Sequence, residues 1–186
     1  FKEYNLRLVL LLSFIFCLSL SSCNRNPYTD KVLQEAERLM ESAPDSAYII
    51  LKNADSTAVF NRVQRAEWNL LVTQAMDKSY MEHTSDSVIR VATTFYEKYD
   101  DPKRLMLSDY YMGRVSQELG DAPRAQEYYL KALRTKQTSE NLPLLARIES
   151  NLGMLYTYQG TYEAALLHLE QAASYFNELK DSTSLS

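Results

Sequence analysis

The chain has 186 residues, 20 basic against 24 acidic side chains for a formal charge of −4, and 46% hydrophobic content. That suffices for one domain or a short repeat array, and the balance excludes a strongly basic nucleic-acid binder and an acidic disordered tail. Two cysteines, Cys17 and Cys23, and two histidines, His83 and His168, exclude a disulfide scaffold, a four-cysteine zinc site and a histidine-built metal centre.

Residues 1–22 read as an export signal. Lys2 and Arg7 give a positive start, and Leu8 to Leu20 is an unbroken run of apolar or small residues. A run of this length is too short for a spanning helix, which needs about 20 residues, and it matches the apolar core of a secretory signal. It ends in Leu20-Ser21-Ser22-Cys23, which resembles the lipobox of bacterial lipoproteins. The resemblance implies cleavage before Cys23, a diacylglyceryl group on its sulfur, and a lipidated linker over 23–29. Two or more acyl chains hold a protein firmly on a bilayer, so the expectation is a membrane-anchored cell-envelope protein. An ordinary signal peptide is the alternative. Asn24-Arg25-Asn26 lacks the acidic run that resembles a surface-export tag, which leans toward the periplasm. Because Phe1 stands where an initiator methionine would, the start is expected upstream.

Downstream, apolar periodicity predicts helices. Asp30 is expected to cap a helix carrying Val32, Leu33, Ala36, Leu39 and Met40, and Pro44 to open a partner with Ala47, Tyr48, Ile50 and Leu51. Trp68 and Leu71 mark a third helix. A fourth is predicted over Ser85 to Tyr99, burying Val88, Ile89, Ala92, Phe95 and Tyr96. The hairpins are expected near 30–54, 57–99, 101–137 and 141–180.

The four glycines, Gly113, Gly120, Gly153 and Gly160, form two pairs spaced by 7, and the pairs recur at 40. Ala125 and Ala165, Ala132 and Ala172, and Asp101 and Asn141 follow the same offset. A mid-helix glycine costs about 1 kcal/mol, so Gly113 and Gly153 are expected where a neighbouring helix comes close. Gly120 and Gly160 fit the left-handed residue that follows a helix end. Asp121-Ala122-Pro123 and Thr161-Tyr162-Glu163 then start second helices. Their buried stripes are expected to be Ala122, Ala125, Tyr129 and Ala132, and Tyr162, Ala165, Leu169, Ala172, Phe176 and Leu179.

These residues resemble the tetratricopeptide repeat, a helix–turn–helix unit of about 34 residues. With Met106 and Ala146 as the first position, Gly113 and Gly153 take the family's glycine, Met112 and Leu152 the apolar residue before it, and Tyr156 its tyrosine. Asp109 and Glu149 depart from the family's bulky fourth position, as Ser116 does from the tyrosine. The longer period places extra residues around Thr138 to Asn141. Upstream, Trp68 is set at the bulky position and Val72 at the glycine's. The resemblance implies an all-α, right-handed superhelical solenoid of about four helix pairs over 30–180. Together with the lipobox it resembles the repeat lipoproteins of Gram-negative bacteria.

Repeats of this family line an inner groove with their first helices and bind peptide segments there, so a protein or peptide partner is implied. Carried over residue by residue, the groove set is Ala66, Asn69, Thr73 and Met76, then Leu107, Tyr110, Arg114 and Gln117, then Arg147, Ser150, Met154 and Thr157. Arg114 and Arg147 are candidates to meet a partner carboxylate, against solvation or bridges to Glu118 or Glu149. Tyr110 and Tyr158 are the tyrosine candidates.

No catalytic constellation is visible: His83 lies near Glu82 and Asp86 and His168 beside Glu170, but neither has the second ligand or nucleophile that a mechanism needs, and every glycine is taken by the repeat. The expectation is a non-enzyme without cofactor, metal or nucleic acid. Alternatives are the exported sensory half of a longer membrane-bound transcriptional regulator and a glycan-binding lipoprotein. Asp181 falls where a further first helix should be capped, so residues 181–186 are expected to begin another repeat. Leu166, Ala173 and Phe176 would otherwise be left to a partner or a second copy.

Overall fold

The computed structural model describes residues 25–55, 61–135 and 142–184. The proposed signal segment, Cys23, the turn at 138–141 and the Asn141 cap lie outside them. Eight helices and no strand are found among the described residues: α1 Pro27–Leu39, α2 Pro44–Asp55, α3 Arg62–Lys78, α4 Ser87–Tyr96, α5 Pro102–Glu118, α6 Ala122–Arg134, α7 Leu142–Tyr158 and α8 Tyr162–Ser184. They pack as four successive hairpins, each against the next, with α3 also touching α1 and α5. This is the helical solenoid of helix pairs that the sequence predicts.

Local chemistry sets the boundaries. Asn26, not Asp30, caps α1: its side chain accepts from the Tyr28 and Thr29 N–H groups, and Pro27 occupies the first turn. Asp30 instead accepts from Gln64 Nε2 at 2.8 Å and pairs with Arg25 at 2.7 Å. At α3, Asn61 and Gln64 form a reciprocal capping box. Asp101 and Asp121 accept from the Arg104 and Arg124 N–H groups at 3.0 and 3.2 Å, each with a proline in the first turn. The fourth helix is shorter than its apolar pattern, Ser87–Tyr96. The last does not break at Asp181 but continues to Ser184.

The period of forty extends further upstream than the sequence suggests. Helices α3, α5 and α7 begin at 62, 102 and 142 and end at 78, 118 and 158. Gly120 and Gly160 have φ of 81° and 74°, and at the corresponding place stands Tyr80 with φ 55°. The matching glycine position in α3 is therefore Thr73, not Val72, and Thr73 is buried. Ile89, Tyr129 and Leu169 share one rung of the second helices, and Ala92, Ala132 and Ala172 the next.

Two apolar cores run through the array. One holds Leu33, Ala36, Leu51, Leu71 and Ala75; the larger holds Leu70, Ile89, Tyr96, Tyr111, Tyr129, Ile148 and Leu152. Trp68 packs on the first and donates Nε1–H to the Leu51 carbonyl at 3.1 Å. On α8 the predicted stripe is only partly covered. Ala165, Ala172 and Tyr175 are buried, whereas Tyr162, Leu169 and Phe176 are 69%, 41% and 49% exposed. Among the described helices α7 is the main neighbour of α8, and part of the α8 apolar stripe is left uncovered by the described residues.

Ion pairs tie neighbouring repeats together. Arg104 reaches back to Glu67 at 2.8 Å, where Arg25 also arrives at 3.1 Å. Arg114 reaches back to Asp77 at 2.9 Å, and Arg124 to Asp86 at 2.6 Å. Asp86 also holds Arg90.

Candidate functional site

The first helices α3, α5 and α7 line two adjoining clefts. One, of about 340 Å³, runs from Asp77, Lys78 and Tyr80 past Tyr110 and Arg114 to Arg147, Ser150, Asn151 and Phe176. The other, of about 450 Å³, is lined by Glu41, Gln74, Leu107, Tyr111, Pro143, Leu144 and Arg147. Arg147 belongs to both. These volumes lie in the range of about 300–1,000 Å³ typical of ligand sites.

Of the residues expected from the sequence, Tyr110, Arg114 and Arg147 come together in the first cleft. Asn69 and Thr73 do not reach it. Both are buried, with Asn69 Nδ2 donating to the Arg65 carbonyl at 2.7 Å and Thr73 Oγ1 to that of Asn69 at 2.9 Å. The reason is register. Counting back 40 from the third repeat puts Glu67, Leu70, Gln74 and Asp77 at the carried positions, and Gln74 and Asp77 do line the clefts. A one-residue slip on a helix turns a side chain by about 100°. Gln117 accepts the Tyr129 hydroxyl at 2.8 Å and so serves the core. Met154 and Tyr158 are exposed at 42% and 84%, yet line neither cleft.

The charges sort themselves. Asp77 neutralises Arg114, and Glu41 meets Lys78 at 2.8 Å. Arg147 is exposed and makes no ion pair among the described residues. A single uncompensated guanidinium thus sits between two clefts, beside the buried Tyr110. Burial pushes the Tyr110 phenol above its ordinary value, so it remains a neutral hydrogen-bonding group.

Tyr80, at the rim, is 98% exposed in the left-handed region. That conformation costs a non-glycine residue about 1–2 kcal/mol, and an exposed ring recovers nothing by packing. Glycine gives back part of the gain through the freedom of its unfolded chain. Tyr80→Gly is therefore expected to raise the unfolding free energy by about 0.5–1 kcal/mol, measured by urea denaturation.

The histidines have structural surroundings. His83 is buried, its backbone N–H donates to Glu118 Oε1 at 3.0 Å, and burial lowers its imidazole below the ordinary value. His168 Nδ1 lies 2.6 Å from Glu149 Oε2, with its ring stacked on Tyr156. Among the described residues no group of three His, Cys, Asp or Glu side chains could hold a metal ion. No helix there is long and apolar enough to cross a membrane.

Residues 104–178 match the family model described as tetratricopeptide repeat. No curated protein and no solved structure matches the chain. The matched segment spans α5 to α8 apart from their outer ends, including both glycine pairs and Arg147, while Glu41, Gln74, Asp77, Lys78 and Tyr80 of the clefts lie upstream of it. The described residues form a helical solenoid of helix pairs, and over 104–178 the chain is similar to the tetratricopeptide repeat, a family that is generally a non-catalytic protein-interaction fold.

Proposed function

We propose that this chain is a non-enzymatic scaffold that captures a peptide segment of a protein partner in the clefts around Arg147. The unpaired guanidinium is the observation that carries the reading. Every other charged side chain lining the first cleft is already matched by a neighbour, so Arg147 is the group left to select an anionic residue. Tyr80, Tyr110 and Phe176 frame it with rings that give area and, in the tyrosines, a hydroxyl.

Arg114 is a poor probe, because its loss would leave Asp77 without its cation. Arg147→Ala breaks no ion pair among the described residues. On an array of peptides carrying aspartate or glutamate beside an aromatic residue, Arg147→Ala is expected to weaken the best binders at least about tenfold, the worth of one charge-assisted hydrogen bond. Arg147→Glu should abolish them. Equal binding by wild type and both variants overturns this site.

The same reading places the scaffold on a membrane of the Gram-negative cell envelope, facing the periplasm, through a lipid on Cys23. Its support is the apolar run closed by Leu20-Ser21-Ser22-Cys23. Metabolic labelling with palmitate is expected to mark the wild-type chain and not Cys23→Ser. Labelling of neither form overturns the anchor. The uncovered face of α8, with Leu166 and Leu167 at 58% and 67% exposure, is where a further repeat or a second copy would pack.

A further inference from the structure

A third cavity, of about 590 Å³, lies between the start of α3 and the outer face of α4 and shares no residue with the Arg147 clefts. Val91, Phe95 and Tyr99 form its floor, with the rings of Phe95 and Tyr99 stacked at 4.9 Å. Arg62, Arg65, Arg90 and Lys98 stand around it, and no acidic side chain lines it. Asp86 holds Arg90. Arg62, Arg65 and Lys98 have no ion pair among the described residues.

We infer that this cavity is a binding site for a single-chain anionic amphiphile, a medium-length fatty carboxylate. Val91 and Tyr99 are 40% and 46% exposed, and an acyl chain laid over them removes that surface from water. The carboxylate then meets the three free cations, where guanidinium offers paired donors. Chemistry separates this occupant from an acidic peptide. A peptide would bring backbone N–H and C=O groups into the cavity, and against them the lining sets, besides its cations, only the hydroxyls of Ser87, Thr94 and Tyr99. Buried without partners, such groups are costly, whereas an acyl chain has none. The cavity's size, in the small-molecule range, suits one chain and not the two of a phospholipid.

The test is titration of the full chain with sodium decanoate below its micelle-forming concentration, read at the Val91 methyl and the Phe95 and Tyr99 ring resonances. Reading at α4 keeps the signal apart from any amphiphile held by the apolar leader. Saturable shifts are expected. Arg65→Gln combined with Lys98→Gln should raise the apparent Kd at least about tenfold, while Arg147→Ala leaves it unchanged. Decyltrimethylammonium, with the same chain and opposite head, should bind far more weakly. Absence of saturable shifts, an unchanged Kd in the double variant, or equal affinity for the cationic amphiphile overturns the proposal. Saturation of the same resonances by an acidic, phenylalanine-containing peptide where decanoate fails also overturns it, assigning the cavity to a protein partner.

Discussion

Gly113→Ala is expected to lower the unfolding free energy by about 2 kcal/mol, the reverse of what alanine does in an unobstructed helix. Free of tertiary contacts, the replacement would gain about 1 kcal/mol of helix propensity. Here an added Cβ would lie 2.5 Å from two ring carbons of Tyr129. That ring cannot step aside: it is fully buried, touches the Tyr110 ring at a centroid distance of 6.0 Å, and its hydroxyl is tied to Gln117. Overpacking of a well-filled core costs about 1–3 kcal/mol, and this site belongs at the upper end. Gly153 provides the control. Its added Cβ would meet Leu169 at 2.6 Å, but Leu169 is 41% exposed and can turn outward, leaving a 3.3 Å approach to the Ala165 carbonyl. Gly153→Ala should change stability by less than about 1 kcal/mol. Urea denaturation of both variants decides the matter. A Gly113→Ala chain as stable as wild type would mean that α5 and α6 do not approach as closely as their geometry requires.

That contrast shows what the sequence carries and what it leaves out. The spacing of Gly113, Gly120, Gly153 and Gly160 predicts close approach at one member of each pair and a left-handed turn at the other, and both occur. Glycine announces itself because it alone meets both demands without steric cost. Tyr80 occupies the same left-handed position in the second hairpin, and a tyrosine gives no such notice. Without that anchor, Trp68 pulls the alignment of α3 off by one residue, which is why Asn69 and Thr73 are read as groove residues while Gln74 and Asp77 are missed. Long-range pairing is equally silent. Arg114 reads as an available cation until Asp77, 37 residues earlier, is seen to neutralise it. The exposure of Leu169 is not legible either, because amphipathic spacing identifies an apolar stripe and says nothing of what stands opposite it.

The fourth position of the repeat unit yields the other large effect. Between pH 5 and pH 8 Asp109 is expected to take away about 2–3 kcal/mol of stability. Asn69, Asp109 and Glu149 occupy one rung at the forty-residue step, all buried. Asn69 donates to a backbone carbonyl, and Glu149 has His168 at 2.6 Å. Asp109 Oδ1 is buried with no hydrogen-bond partner among the described residues. Burial pushes its carboxyl up to about 7, Lys131 drawing it down and Glu97 adding to the rise. In the unfolded chain the group returns to about 3.9. Between these values folding takes up a proton, so the contribution is fully present below the unfolded value and is lost as pH rises through the folded one. Buried His83 acts oppositely: lowered from its ordinary value, it favours unfolding as pH falls below about 6.5. Wild type alone therefore reports a sum of opposed slopes. Asp109→Asn isolates the carboxyl, since an amide does not titrate and matches its shape. The variant should exceed wild type by about 2 kcal/mol at pH 8 and by much less at pH 5, as read from urea midpoints across that interval. Parallel pH profiles for the two chains would mean that water or a neighbour already satisfies the carboxylate, and that its burial is harmless.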